Sequence, residues 1–245
     1  MREALGLWTL HVGPALVSIA ARLPASAIAI NRAVGIGLDR AAAPEDAAAI
    51  VDAYRAAGVA RYFIQVAPHT APAAVGAWLE AAGLRKARAW QKFERGAEPV
   101  ADRRTDLEIR LVGPEHGSAF AEIVCAAFDL GDGAIPWLQR IPGRPGWHVY
   151  MSFDRGRPAG VGTMYVRNGC AWLDFGATRP EYRGRGSQGA IVAQRVGLAL
   201  ALGCRRIYTC TGVEVPGDPQ HSYKNILRAG FRETYVRENY APPND

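Results

Sequence analysis

Two arginines and three glycines in the run Arg183-Gly-Arg-Gly-Ser-Gln-Gly189 are the residues of this 245-residue chain best placed by type and spacing to do chemistry. Glycine lets the backbone bend so that successive N–H groups converge on one point. An apolar run containing Trp172, Leu173, Phe175 and Ala177 leads into the bend, and a stretch containing Ile191, Val192, Val196 and Leu200 at helical spacing leads out of it. A helix beginning there adds unpaired amides and the positive end of its dipole. The combination is an anion-binding cup suited to a diphosphate, with Arg183 and Arg185 as mobile positive charge. Two commoner phosphate loops are excluded. No Lys-Ser/Thr follows, as a P-loop requires. Gly184, Gly186 and Gly189 have dinucleotide-loop spacing, yet about 20 residues further on, where an acidic partner is required, stands Thr209.

What remains is the pattern [Q/R]-x-x-G-x-[G/A], matched by Arg183 and Gly186, with Gln188 in the last position and Gly189 one step later. On these residues the chain resembles the GNAT acyltransferase superfamily. The resemblance implies that Arg183, Gly184, Arg185, Gly186, Ser187, Gln188 and Gly189 hold the pyrophosphate of acetyl-CoA (coenzyme A). It further implies that Gly176, Ala177 and Thr178 bond the pantetheine arm through their backbone. A backbone amide around Gly176–Ala177 would then face the thioester oxygen. Family members often protonate the departing thiolate with a tyrosine four residues before a Gly-Phe junction. Here Gly230-Phe231 places Ile226 at that position, so Tyr223, one turn earlier, is the substitute acid. Ser222 and Asn225 on the same helix are set to bond the pantetheine amides. The base is open among Asp174, Glu214, His221 and a water chain. Asp174 lies mid-strand between Leu173 and Phe175, where a buried carboxylate is rare unless paired. Burial would suit it to proton abstraction, and an ion pair with an arginine is its other reading.

The elements that must position these residues follow from pattern. Strands are expected at 107–112, 147–153, 159–166 (a hairpin through 154–158), 170–178, 205–211 and 231–240, with helices at 114–128, 187–202 and 220–229. This β-α-β-β-β-α-β-α-β order matches the GNAT layout. The N-terminal half repeats its later part: strand 27–38, helix 44–57 with proline at its first position, strand 59–66, a helix ending at Ala82, and strand 85–93. Gly58-Val-Ala-Arg-Tyr-Phe63 overlies Gly203-Cys-Arg-Arg-Ile-Tyr208, and Ala82-Gly-Leu-Arg85 overlies Ala229-Gly-Phe-Arg232. The fold class expected is α/β, as two tandem GNAT-like domains, each a mixed and mostly antiparallel sheet flanked by helices. Residues 1–96 form a degenerate first domain and 106–245 the acetyltransferase domain, with a polar linker between. In the first domain Asp39-Arg-Ala-Ala-Ala43 stands where the glycine loop would be, so only the second is expected to bind CoA.

Composition narrows the rest. An apolar content of 49% with 21% charged residues is that of an ordinary globular chain. The net charge of +6 invites a nucleic-acid reading, but the basic residues are dispersed, and a polyanionic small molecule accounts for them as well. Cys125, Cys170, Cys204 and Cys210 lack paired spacing, so reduced thiols are expected and neither a metal site nor a disulfide frame. The first 25 residues resemble a signal peptide in outline, but His11, Gly13 and Pro14 interrupt the apolar run, and they are read as a first helix region. The function expected is acetyl transfer from acetyl-CoA to the amine of a small molecule, in a cytoplasmic monomer or homodimer without nucleic-acid or membrane partners. The alternative is a non-catalytic acyl-CoA-binding sensor. Trp137 and Trp147 are candidate linings of the acceptor pocket.

Overall fold

The computed structural model describes residues 6–101 and 103–243. Its elements are β1 (Leu7–Val12), β2 (Ala15–Ala20), β3 (Arg32–Val34), α1 (Pro44–Ala56), β4 (Phe63–Val66), α2 (Val75–Ala81), β5 (Arg85–Arg95), β6 (Glu108–Val112), α3 (Gly117–Phe128), α4 (Ile135–Leu138), β7 (Trp147–Asp154), β8 (Arg157–Arg167), β9 (Cys170–Thr178), α5 (Ser187–Ala201), β10 (Arg206–Gly212), α6 (His221–Arg228) and β11 (Arg232–Ala241). They form two compact units: residues up to Gln91 with those from Tyr235 on, and Lys92–Thr234. The strands β5 and β11 each begin in one unit and end in the other, so the boundaries lie within strands rather than in the polar stretch expected to link two domains.

In the N-terminal unit β1, β2 and β3 pair antiparallel, and β3 pairs parallel with β4. The C-terminal unit repeats this arrangement: β7, β8 and β9 are antiparallel and β9 pairs parallel with β10. The two units thus share the order strand, helix, parallel strand, helix, strand. The residues that align in sequence do the same work in both. Gly58, Gly83, Gly203 and Gly230 follow α1, α2, α5 and α6, each with φ between 68° and 90°. Each of these helices closes with paired bonds, such as Gly58 N–H to Arg55 O and Val59 N–H to Tyr54 O, both 3.0 Å. A left-handed residue is needed there, and glycine supplies it without a steric cost.

Separate apolar cores stabilise the units. In the first, Val17, Ile19, Ile50, Tyr54, Ile64 and Leu79 pack together, and Tyr54 stacks on Tyr62 at 3.9 Å. In the second, Phe93, Met164, Leu173, Val196, Ile207 and Phe231 do so.

Three sequence expectations are corrected. Residues 7–20 are a β-hairpin, not a helix: Ala15, Val17 and Ile19 are buried in alternation, and the left-handed Gly13 begins the turn. Gly13-Pro14 is therefore a turn between two strands rather than an interruption of a helix. Strand 27–38 shrinks to β3, because Gly35 and Gly37 adopt positive φ and end it. Strand 59–66 begins only at Phe63, after the closing turn of α1. No helix among the described residues is long and apolar enough to cross a membrane.

Candidate active site

The loop between β9 and α5 bends at two left-handed glycines, Gly184 (φ 78°) and Gly186 (φ 81°). Gly186 caps the N-terminus of α5, whose first turn contains no acidic residue. Four dipole-aligned amides with no carboxylate among them form a place for an anion. Gly184 and Arg183 are exposed, and no ion pair among the described residues engages Arg183. Gly189, in the first turn, is covered on one side by the stem of Arg103, 3.6 Å from where its Cβ would be.

The other members of the motif hold the loop together. Arg185 does not supply mobile charge: Asp106 grips it, and its Nη2 lies 3.1 Å from Asp154 Oδ1. The arginine holds both carboxyls below the usual carboxylate range, and they raise its own pKa. Ser187 is buried and shares a 2.8 Å hydrogen bond with Ser152. Gln188 Nε2 donates to Ala177 O (2.6 Å), Thr178 Oγ1 (3.0 Å) and Val161 O (3.1 Å), tying the helix start to the end of β9. The carbonyl of Ala177 is therefore already engaged. The stretch read as a linker also belongs here. Thr105 Oγ1 donates to Arg185 O at 2.7 Å, and a Cβ on Gly186 would stand 2.5 Å from Arg104 O.

Beyond the loop, the parallel pair β9 and β10 is in register only from Cys170–Arg206 to Trp172–Tyr208. After that the strands part. On its other side β9 bulges: Val161 pairs with Ala177 and Thr163 with Asp174, leaving Phe175 and Gly176 opposite Gly162. Phe175 has φ 46°, an uncommon value for an aromatic residue. A cavity of about 150 Å³ occupies the opening. Its walls include Asp174, Phe175 and Gly176 of β9, Gln188, Val192 and Arg195 of α5, and Ser222, Asn225 and Ile226 of α6. Phe175 meets Phe120 and Phe128 edge-on at 6.4 and 6.0 Å, which closes the wall toward α3.

Ser222 and Asn225 thus face the cavity, as does Asp174. The latter is half-buried, and its carboxylate accepts hydrogen bonds from Trp172 Nε1 (3.0 Å) and Phe175 N–H (2.9 Å). Tyr223 is turned elsewhere. It donates to Glu233, meets Phe93 edge-on at 5.0 Å, and its phenol is pushed up to about 12 by burial and by Glu233. The face of α6 toward the cavity runs through 222, 225 and 226, and position 223 is a further 100° around the helix. Glu214 is exposed, close enough to Tyr223 to raise its pKa, and outside the cavity wall. His221 is exposed. Trp147 rests against Tyr165 at 5.1 Å, and neither it nor Trp137 lines the cavity.

Arg195 is the residue that sequence reasoning missed. It is 3% exposed at the cavity wall, where burial brings its pKa down to about 10. Its position was legible: it falls four residues after Ile191 and four before Ala199, inside the buried stripe of α5.

Residues 121–223 match the family model described as acetyltransferase (GNAT) family. No curated protein sequence matches the chain. The fold is similar to that of a GCN5-related N-acetyltransferase from Kribbella flavida, with a TM-score of 0.70 at 14% identity over 99% of this chain and 93% of that one. A GCN5-related N-acetyltransferase from Sphaerobacter thermophilus gives 0.62 at 19% identity over 82% and 67%. A tandem GNAT protein from the clavulanic acid biosynthesis pathway gives 0.58 at 15% identity over 94% and 79%.

Proposed function

We propose that this chain, whose residues 121–223 form a domain of the acetyltransferase (GNAT) family, transfers an acetyl group from acetyl-CoA to the amine of a small molecule. The observation that carries this reading is the continuity of two features: an acid-free helix start at Gly186 and, beside it, a cavity between strands that have parted. The first suits a diphosphate; the second suits the arm and acyl group that extend from one. Acetyl-CoA supplies an acyl group activated as a thioester.

The residues of the chain orient it, exclude water and move a proton. Arg183 and the α5 amides hold the diphosphate, while Gln188 fixes the helix to the bulged strand. Ile226, Val192 and Phe175 keep the reacting region dry, which strengthens electrostatic effects there. When the amine nitrogen bonds to the carbonyl carbon and the carbon–sulfur bond breaks, the sulfur leaves with the electron pair and must gain a proton, and the nitrogen must lose one. Asp174 is the carboxylate in the cavity wall able to accept the proton from nitrogen.

Calorimetry with acetyl-CoA, followed by thiol release across a panel of amines, tests the reading. Asp174→Asn is expected to lower kcat about 100-fold or more while donor binding persists. One observation favours a second reading, an acyl-CoA sensor: with Ile226 in place and Tyr223 turned away, no phenol lines the cavity among the described residues. Uptake of acetyl-CoA without turnover on any amine would select the sensor, and absence of uptake would overturn both.

A further inference from the structure

Among the described residues Arg195 is the one cation in the cavity wall, and its hydrogen bonds engage Nη1 and Nε. Its Nη1 donates to the carbonyls of Thr163 (2.7 Å) and Asp174 (3.1 Å), and Nε to that of Ile191 (3.4 Å). No hydrogen bond among the described residues engages Nη2. Two glycines make room for the guanidinium. A Cβ on Gly162 would stand 2.8 Å from its Cζ, and one on Gly176 would stand 4.0 Å from Nη2 and 2.9 Å from Gln188 Oε1. Nη2 therefore lies beside the bulge of β9, where a side chain is missing. The other charge in the wall, the Asp174 carboxylate, accepts from Trp172 Nε1 and the Phe175 amide; it opposes through space the effect of burial on Arg195, while the guanidinium's hydrogen bonds go to backbone carbonyls. A buried cation is retained at a cost unless an oxygen pairs with it, and guanidinium geometry matches a carboxylate better than a carbonyl.

We propose that this cavity also takes an acyl chain that ends in a carboxylate, and that Arg195 Nη2 is the partner of that carboxylate. The inference rests on the acyl-transfer reading and adds a dicarboxylic acyl-CoA to the donors the site accepts. Arg195 is then a specificity determinant, distinct from the phosphate loop that all CoA esters share.

Calorimetry without acceptor tests it, using CoA, acetyl-CoA, butyryl-CoA and succinyl-CoA. The last two share a four-carbon chain and differ in the terminal carboxylate. Succinyl-CoA is expected to bind about tenfold or more tightly than butyryl-CoA. Arg195→Met is expected to abolish that preference while CoA itself binds within about twofold of the unmodified chain, and Arg195→Lys to keep part of the preference. Equal affinity for butyryl- and succinyl-CoA in the unmodified chain overturns the proposal, whether or not either variant folds. A preference that survives in Arg195→Met overturns the role of Arg195. Failure of every ligand, CoA included, to bind overturns the acyl-transfer reading instead.

Discussion

The start of α1 and the start of α5 occupy equivalent places in two repeats of one topology, yet only one of them is open to an anion. Before α1, Gly35 and Gly37 adopt φ of 86° and 66°, much as Gly184 and Gly186 do before α5. The N-terminal loop is therefore not free of glycine, contrary to the expectation drawn from residues 39–43. Its glycines are spent on packing. A Cβ on Gly37 would stand 2.4 Å from Ala71 O, the Gly37 carbonyl accepts from Ala71 N–H at 2.9 Å, and Ala42 N–H donates to Ala71 O at 2.8 Å. The place of the anion is taken by the chain itself: Asp46 Oδ2 accepts from Ala43 N–H at 2.9 Å, and Glu45 adds a second acid to the first turn. In α5 the position corresponding to Asp46 is Gly189. Glycines shape a phosphate loop, but the absence of a carboxylate in the first turn is what leaves it vacant for a ligand.

That contrast can be broken by transplanting the carboxylate. Gly189→Asp should weaken CoA binding most, about 100-fold, because a carboxylate would face the diphosphate. Its Cβ meets only the Arg103 stem at ordinary contact distance, so the melting temperature should stay near that of the unmodified chain. Calorimetry and a thermal melt read both halves. Gly186→Ala ranks second. Its φ of 81° is strained for alanine and its Cβ would meet Arg104 O, so stability should fall by about 1–3 kcal/mol, and CoA affinity about tenfold. In the other repeat, Asp46→Ala should cost about 1 kcal/mol as a lost cap and confer no second CoA site; a binding stoichiometry of two would contradict the packing account. The smallest effect concerns pH. Arg185 holds the Asp106 and Asp154 carboxyls below their ordinary value of 3.8, so the clamp is complete above that value and is lost as pH falls through the lower folded values. Asp106→Asn should flatten this acid-side loss of loop order, measured by hydrogen exchange at residues 183–187, and leave behaviour near neutrality almost unchanged.

Legibility followed the range of the interactions involved. The helix closures at Gly58, Gly83, Gly203 and Gly230, the hairpin joining β7 and β8, and the glycine bend before α5 depend on residues within a few positions of one another. They could be read from the sequence, and the aligned glycines disclosed the repeat. The β1–β2 hairpin was also written locally, in Gly13-Pro14, but its short apolar runs do not distinguish strand from helix by themselves.

Sequence by itself determined where the backbone can turn left-handed, where helices stop, and that one loop carries a glycine-rich start without an acid. Only the tertiary structure decided which side chains meet. Arg185 is claimed by Asp106 and Asp154, one 79 and the other 31 residues away, Tyr223 is drawn to Glu233, and Arg195 reaches the cavity because Gly162 and Gly176 leave space for it. The physical reason is that turns and caps are decided by steric and hydrogen-bond terms within a single turn of chain, whereas the direction of a charged side chain is decided by partners and space that distant strands supply.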